Sequence, residues 1–471
     1  MNLSVVWWGV LCPTLLEEVA MLIPTHDTAC IIEIPPASFV GDPWATEVLP
    51  RLPAALAEQA RVLKAFQRVR GIATPQDLLR GLLAYVLGPL STRRLGAWAL
   101  LIELADISEA AWRKRLRTSN DWLLWLLSAV VAVPEPPGPT VLHPAGRLLL
   151  VDASCLGQPG GTGDDWRLHL AYDLMAGRMS QVRVTDRRGG ERLDRYTWQA
   201  GDVVVADRGY GYRRSVATAV RQQAEVVMRI HPATFPMETD AAQPFHVLRW
   251  LRQRGGSERE WHGWCCWEKR RYRVRLLAAK LDAQATRRAR RRTRRKAQKA
   301  GRTITAPTLA VVGWLLLITT LEAGTWSVAD VLAVYRARWQ VELVFKKMKQ
   351  LLRLNQIRSK HHTSVEATVR LLLIAWALHE GTTTRLRTLL RFPASPERGV
   401  VSSWLLSGLG LDTLRQQVQG RWSETHLQAC LPRLRRFLCS RPRRRVHQES
   451  TVRAWLEQRA RACPDRQQNV A

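Results

Sequence analysis

The sequence lacks any pair of cysteines separated by two residues. Its eight cysteines are scattered, and only Cys265 and Cys266 are neighbours, which in a strand would point to opposite faces. A zinc ribbon or finger is therefore excluded, because its ligands come in closely spaced pairs. Thiols of this kind are typical of small apolar fillers in a reducing compartment, so we expect a cytoplasmic protein.

Long apolar runs are also missing. The most apolar windows, residues 122–133 and 311–320, are shorter than the about 20 residues that a membrane-spanning helix requires. The N-terminal stretch lacks the basic start of a signal peptide, and Glu17 and Glu18 soon follow it. We therefore expect no membrane partner.

Acidic residues are few for a chain of this size. The 471 residues include 71 Lys and Arg but 40 Asp and Glu, a formal charge of +31. A protein this basic repels itself unless a polyanion neutralises it, and without a membrane segment that polyanion is nucleic acid. Hydrophobic residues make up 46%, which is enough for sizeable cores in about three domains.

Helical and strand-like patterns alternate along the chain and predict an α/β core with helical regions on either side. The predicted regions are an unassigned N-terminal extension (1–60), a helical domain (61–140), an α/β core (141–231 and 322–355), a β-rich insertion (232–321) and a helical C-terminal region (356–471). The proline run PEPPGP, residues 134–139, is predicted to be the linker before the core.

Two basic segments are candidates for contact with nucleic acid. Ser108 is typical of a helix N-cap, and the helix after it would expose Arg113 and Lys114. It is either a recognition helix or an ordinary amphipathic helix that packs Trp112 inward. Residues 287–302 contain ten Lys or Arg and form either a basic helix across a DNA backbone or a solvated loop.

Two aspartates end apolar strands of the predicted core. Asp152 closes the run RLLLVD, and Asp207 closes DVVVAD. Central strands lying side by side would place both carboxylates on one rim of a sheet. Asp173 is a rival, but it falls within a predicted strand, and Asp164 and Asp165 follow glycines as in a turn.

A third carboxylate lies on a long helix that is predicted to start after the cap Ser327 and to run to about Leu354. One face of it, within a roughly 60° arc, carries a phenol, two cations and a carboxylate. These four residues are Tyr335, Arg338, Glu342 and Lys349. The alternative is a solvated face with an ordinary ion pair between Arg338 and Glu342.

Asp152, Asp207 and Glu342 together fit phosphodiester chemistry with two metal ions. Such chemistry needs carboxylates that converge on ions about 3.5–4 Å apart. Hard oxygen ligands suit Mg²⁺, and the neighbouring cations Arg338 and Lys349 would hold flanking phosphates.

The spacing Tyr-x2-Arg-x3-Glu-x6-Lys resembles that of the DDE transposases of bacterial insertion sequences, in the group named after these four residues. Other familiar motifs are Asp207-Arg208-Gly209-Tyr210, Trp166-Arg167-Leu168-His169 and Gly189-Gly190-Glu191. The resemblance implies an RNase H-like core, a mixed five-stranded sheet with helices, in which a β-rich insertion precedes the helix carrying Glu342. It also implies an N-terminal domain that recognises the ends of the element.

The resemblance further implies metal-dependent cleavage at terminal inverted repeats, a hairpin intermediate and strand transfer into target DNA. Asp152, Asp207 and Glu342 would hold two Mg²⁺ or Mn²⁺ ions, in a synaptic homodimer associated with the bacterial nucleoid. Trp314 would stack a flipped base, unless it is an ordinary buried strand residue. The DNA-binding residues would be Tyr335, Arg338, Lys349, Trp314, Arg113, Lys114 and Arg208. Two alternatives remain: an inactive, transposase-derived DNA-binding protein, and a nuclease for structured DNA without strand transfer.

Overall fold

A mixed sheet of eight strands forms the centre of the protein in the computed structural model, which describes residues 41–88, 90–132, 146–253, 255–390, 400–440 and 454–455. The strands are β1 (Leu148–Leu156), β2 (Trp166–Asp173), β3 (Arg178–Asp186), β4 (Val203–Ala206), β5 (Glu225–Arg229), β6 (Glu258–Trp267), β7 (Arg270–Lys280) and β8 (Trp314–Thr319). Their order across the sheet is β3-β2-β1-β4-β5-β8-β7-β6. The proline run at 134–139 lies outside the described residues.

Both faces of the sheet are covered, as the alternation along β1 shows. Leu148 and Leu150 belong to one hydrophobic cluster, whereas Leu149 and Val151 belong to another. Side chains of successive strand residues point to opposite faces, so each face of β1 has its own core. This explains why the strand is a continuous apolar run rather than an alternating one.

Most of the α-helices lie before β1 and after β8 in the described chain. They are α1 (Leu56–Val62), α2 (Pro75–Leu87), α3 (Thr92–Leu101), α4 (Glu109–Thr118), α5 (Asn120–Ala132), α6 (Arg213–Arg221), α7 (Val247–Arg252), α8 (Ala283–Lys299), α9 (Ala306–Val311), α10 (Val328–Ala337), α11 (Trp339–Gln350), α12 (His362–Leu389), α13 (Ser403–Val418) and α14 (Glu424–Leu438). Two short strands pair antiparallel: β9 (Val400–Val401) precedes α13, and β10 (Cys439–Ser440) follows α14. In the described part of the chain no helix has the length and apolar character needed to cross a bilayer.

The strands of the insertion extend the central sheet rather than forming a body of their own. The sequence predicted five strands in the core, with the insertion separate. In the structure β8 pairs antiparallel with β5, and β7 pairs antiparallel with β8, so the sheet has eight strands. Backbone groups at the edge of β5 are thereby satisfied by the insertion.

Three local predictions differ from the structure. β1 continues to Leu156, so Asp152 lies inside the strand rather than at its end. The predicted strand at 311–320 begins only at Trp314, because α9, with a proline in its first turn, precedes it. The single helix predicted after Ser327 is divided into α10 and α11 at Arg338.

The helix starts that the sequence indicated are confirmed. The Ser108 hydroxyl accepts a hydrogen bond from the Ala111 N–H at the start of α4. Ser327 forms a capping box with Asp330 at the start of α10. Short side chains at these positions satisfy backbone N–H groups that no helical carbonyl can reach.

The 28-residue helix α12 packs against α2, α5 and α13 and joins the N-terminal helices to the rest of the protein. It contains His379, whose Nε2 lies 2.8 Å from the Ser407 carbonyl oxygen. Burial, together with the charges of Lys347 and Arg51, lowers the pKa of His379 to about 4. Burial raises the pKa of the neighbouring Glu380 to about 8. Both side chains are therefore neutral in the folded protein near pH 7.

We predict that His379 weakens the fold on acidification. Its folded pKa lies below its ordinary value, so below about pH 6.5 the unfolded chain gains a proton that the folded chain cannot hold. The stability advantage of the wild type over His379→Gln should therefore shrink by about 2 kcal/mol between pH 7 and pH 5. Urea unfolding across this range measures it, with the exposed His361→Gln as control. A constant difference for His379→Gln would contradict the prediction.

Candidate active site

The parallel pairing of β1 with β4 brings two aspartates to one rim of the sheet. Val151 lies opposite Ala206 in this pairing, and the next residues are Asp152 and Asp207. Neither side chain is fully buried, and the Ala153 N–H donates to Asp152 Oδ1 at 2.8 Å. The sequence prediction that both carboxylates share a rim is confirmed, although β1 continues beyond Asp152.

The junction of α10 and α11 contacts both of these aspartates. The Tyr335 hydroxyl donates to Asp207 Oδ1 at 3.1 Å. The guanidinium of Arg338 donates to Glu342 Oε1 at 2.5 Å and lies 3.7 Å from Asp152 Oδ2. Tyr335, Arg338 and Glu342 are therefore brought together with Asp152 and Asp207, as the helix-face argument predicted.

Lys349 is the fourth residue of the helix pattern and sits farther along α11. Its Nζ donates to the Cys155 carbonyl oxygen at 3.0 Å. Cys155 lies three residues beyond Asp152 on the same strand, so Lys349 contacts β1 at a point farther from the carboxylates. Lys349 therefore contacts the backbone, whereas Arg338 contacts carboxylates.

Negative charge is concentrated at the rim. Burial raises the pKa of Asp152 to about 6, and the nearby Glu342 and Glu191 carboxylates add to this. At Asp207 burial is outweighed by the Arg208 N–H, the charges of Arg338 and Arg229 and the Tyr335 hydroxyl, which lower its pKa. Two neighbouring aspartates with oppositely shifted pKa values are typical of a functional site.

The chemistry of these side chains suits a hard divalent cation. Asp152, Asp207 and Glu342 supply carboxylate oxygens only, the ligands that Mg²⁺ and Mn²⁺ prefer. Among the described residues, no three His, Cys, Asp or Glu side chains lie close enough together to form a closed metal site. The Arg338 guanidinium lies against two of the three carboxylates, so metal binding requires it to turn away.

Glu191 is a fourth carboxylate at the rim, which we had not assigned to the metal. A Cβ placed on Gly209 would lie 1.4 Å from Glu191 Oε2, so only glycine leaves room for this side chain. Burial and the charge of Asp207 raise the pKa of Glu191. The sequence carried a signal for it, since Gly189-Gly190-Glu191 and Gly209 both fall in motifs noted above.

The rival aspartates have structural roles. Asp173 Oδ1 accepts the N–H groups of Met175 and Ala176, which closes the turn between β2 and β3. Asp165 accepts three backbone N–H groups of the preceding glycine-rich loop, from Gln158, Thr162 and Gly163. Both carboxylates are therefore engaged by backbone N–H groups of turns and loops, and the choice of Asp152 stays a prediction.

Trp314 begins β8 and lines a cavity beside the rim. The cavity has a volume of about 580 Å³ and is bordered by Trp314, Arg229, Arg288 and Arg292, among others. Arg229 ends β5, and its charge acts on Asp207, so the cavity adjoins the carboxylates. The Arg259 guanidinium lies 5.1 Å from the Trp314 ring. Trp314 is half-buried, with part of its surface facing this basic cavity.

The other predicted DNA contacts are exposed. Arg208 follows Asp207 directly, and Arg113 and Lys114 lie on the outer side of α4, where Arg113 pairs with Glu109 at 2.8 Å. Trp112 on the inner side of α4 is buried. The basic run at 287–302 largely forms α8, a helix without buried residues, so the run is a helix rather than a loop, and its contact with DNA stays a prediction.

Comparison with known proteins agrees with this geometry. The family model described as "Transposase DDE domain" matches residues 143–378, half of the chain and all of the rim residues. The chain belongs to the DDE transposase family. It is 33% identical over 330 residues to the putative transposase InsL for insertion sequence element IS186A of Escherichia coli (strain K12), covering 69% of this chain and 89% of that protein. Identity to the transposase for insertion sequence element IS421 of Escherichia coli is also 33%, over 331 residues, with the same shares.

The resemblance stated from the sequence, to DDE transposases of insertion sequences, is thereby confirmed. DDE transposases use divalent metal ions for their DNA chemistry, which agrees with the carboxylate oxygens at the rim. The matched residues include the strands of the insertion and most of α12. The transposase domain therefore extends well beyond the strands that carry the two aspartates.

We predict that Gly209→Ala lowers DNA cleavage by this transposase without unfolding it. The new Cβ would displace the Glu191 carboxylate, the end of a flexible side chain, and leave Asp207 without its neighbour. Loss of a group that supports a metal ligand typically costs about 10–100-fold in activity. Gly190→Ala is the matched control, because a Cβ there meets no atom within 4 Å. Equal cleavage rates for the two variants would rule out a contribution from Glu191.

Proposed function

We propose that this transposase cleaves DNA at the terminal inverted repeats of its element and joins the freed ends to target DNA. Asp152, Asp207 and Glu342 would be the catalytic metal ligands, for two Mg²⁺ ions that Mn²⁺ can replace. The observation that carries this proposal is that the Arg338 guanidinium contacts the Glu342 and Asp152 carboxylates, while its charge also lowers the pKa of Asp207. Such a concentration of buried negative charge favours a compact, multiply charged cation.

Each side chain at the rim has a separate task in the proposed reaction. Bound divalent ions would activate the attacking oxygen and neutralise charge on the phosphate. Tyr335 holds the Asp207 carboxylate in position through its hydroxyl. Arg338 and Lys349 exchange their present contacts, with Glu342 and with the Cys155 carbonyl, for phosphates of the transposon end.

The wider pathway follows the family resemblance. We propose cut-and-paste transposition in which the freed 3′-OH forms a hairpin with the opposite strand before attacking target DNA. All steps would use this one carboxylate site within a synaptic homodimer. The proposed domain limits remain those of the sequence analysis, with the end-recognition domain at 61–140 and its α4 presenting Arg113 and Lys114.

The cavity beside the rim fits a nucleobase with its phosphate. Trp314 offers an aromatic face, and Arg229, Arg288 and Arg292 offer positive charge around it. Stacking on one aromatic ring is worth about 1–3 kcal/mol per base. We therefore keep Trp314 as the residue that receives a flipped base, while α8 and Arg208 contact the backbone.

Replacement of one proposed ligand tests the catalytic assignment. Glu342→Gln keeps the size of the side chain but removes the charge that holds a metal. Cleavage of DNA carrying the element's ends, with Mg²⁺ or Mn²⁺, should fall more than about 100-fold, because even partners of metal ligands are worth 10–100-fold. Binding of the same DNA should persist. Glu58→Gln, an exposed carboxylate on α1, is the control.

The outcomes of this experiment separate three functions. Cleavage and joining by the wild type, with loss of both in Glu342→Gln, supports the transposase with Glu342 as a ligand. Cleavage without joining would favour the structured-DNA nuclease. Binding without cleavage by either protein would favour the inactive DNA-binding protein, and equal cleavage by both would remove Glu342 from the site.

We predict that Trp314→Ala weakens recognition of a flipped base. With 2-aminopurine in the terminal nucleotides, the wild type should quench the fluorescence that unstacking releases, because the base stacks on Trp314. Trp314→Ala should leave that fluorescence high and lower cleavage about tenfold, whereas Trp314→Phe should retain most of both effects. Trp267→Ala, another half-buried tryptophan of the insertion, is the control. Unchanged quenching in Trp314→Ala would refute the stacking role.

A further inference from the structure

Arg275 is a buried arginine in the insertion. It lies in β7, and 4% of its surface is exposed. An arginine loses strong hydration on burial, so its guanidinium must be paired and hydrogen-bonded. Its Nε donates to Glu260 Oε1 on β6 at 2.7 Å, which supplies the opposite charge.

The other two nitrogens of this guanidinium hold the chain segment that leads to α10. One donates to the Leu321 carbonyl oxygen at 2.6 Å and the other to the Trp326 carbonyl oxygen at 3.0 Å. Leu321 follows the end of β8, and Trp326 immediately precedes the N-cap Ser327. Arg275 therefore fastens both ends of the connection between β8 and α10.

This connection lies at the end of the sheet opposite to the rim. β8 is antiparallel to β5, and Thr319 at its end pairs with Val227 on one side and with Arg275 on the other. From there α10 runs back toward the rim, packed on β4 and β5. Its span from Ser327 to Arg338 is about 16 Å, close to the length of the five residues of β5.

A displacement at the start of α10 would thus be carried to the rim by a rigid helix. Tyr335 and Arg338 lie at the far end of α10, and Glu342 follows on α11. Catalytic groups must stay within a fraction of an ångström of their working positions. The position of this helix start is therefore a condition for the geometry of the carboxylates.

We propose that Arg275 is a positioning residue for the active site, acting through the start of α10. This inference rests on the proposed roles of Tyr335, Arg338 and Glu342. The planar guanidinium can bridge two carbonyl oxygens and one carboxylate at once, whereas the ammonium of a lysine cannot span them in the same way. The sequence does not indicate this positioning role, because Arg275 is one of several basic residues in β7.

Four variants separate positioning from simple stability. Arg275→Met removes all three contacts, and Arg275→Lys keeps a charge for Glu260 but cannot bridge the carbonyl oxygens of Leu321 and Trp326. Glu260→Gln weakens the ion pair and leaves both carbonyl contacts in place. Arg273→Met, an exposed arginine two residues away on the same strand, is the charge-matched control.

Each variant would be assayed for its Tm, its Kd for end DNA in Ca²⁺, its single-turnover cleavage rate at saturating DNA, and its Mn²⁺ affinity by calorimetry. We expect Arg275→Met and Arg275→Lys to cleave about 10–100-fold more slowly and to bind Mn²⁺ more weakly. Their Kd for DNA should stay within about twofold of the wild type. Glu260→Gln should lose Tm yet keep its cleavage rate, and Arg273→Met should resemble the wild type.

Cleavage rates that follow Tm across all variants, or a wild-type rate in Arg275→Lys, would overturn the proposal. A wild type that neither cleaves nor binds Mn²⁺ would instead refute the proposed function. Hydrogen exchange of peptides covering 321–337 then tests the clamp by itself. Faster exchange there in Arg275→Lys than in Glu260→Gln supports it, and equal exchange in the two variants overturns it.

Discussion

The parallel pairing of β1 with β4 places Asp152 and Asp207 next to each other. Their carboxylates repel each other, and other side chains of the site reduce this repulsion. Two like charges about 4 Å apart repel by about 4 kcal/mol at the effective dielectric constant of a protein surface. Burial is the main cause that raises the pKa of Asp152 to about 6, and the Glu342 and Glu191 carboxylates raise it further. The Arg338 guanidinium reduces this repulsion. It lies at the junction of α10 and α11 and contacts Asp152 and Glu342. The buried carboxylates at this rim therefore favour a cation beside them.

The break between α10 and α11 determines where the Arg338 guanidinium points. Arg338 ends one helix and caps the next, with hydrogen bonds of the tighter i to i+3 kind on either side. In one continuous helix the Arg338 side chain would point in the direction set by its position on the shared helix face. At the junction it contacts Glu342 one turn later and still faces Asp152 across the rim. The face predicted from the spacing is real, although the helix that carries it is divided.

Local signals in the sequence predicted the caps at Ser108 and Ser327, the strands that carry Asp152 and Asp207, and the helix face of Tyr335 and Glu342. Each depends on a few neighbouring residues, whose periodicity or hydrogen bonding is visible in the chain itself. The pairing of β8 with β5 depends instead on residues about 90 positions apart, and no local pattern specifies it. For the same reason the motifs around Glu191 and Gly209 did not show that these two residues lie against each other, and the contacts of Arg275 emerged only from the structure.

The pairing of β8 with β5 also explains why an insertion is placed between β5 and α10. β5 ends at the rim, so a helix that is to arrive there must start at the opposite end of the sheet. β8 begins beside the rim with Trp314, runs antiparallel to β5, and delivers the chain to that opposite end at Thr319. The same strand therefore fixes the basic cavity at one end and the start of α10 at the other. Because backbone hydrogen bonds hold β8 to β5 and β7, the basic cavity on the insertion and the carboxylates at the rim are connected through one continuous sheet.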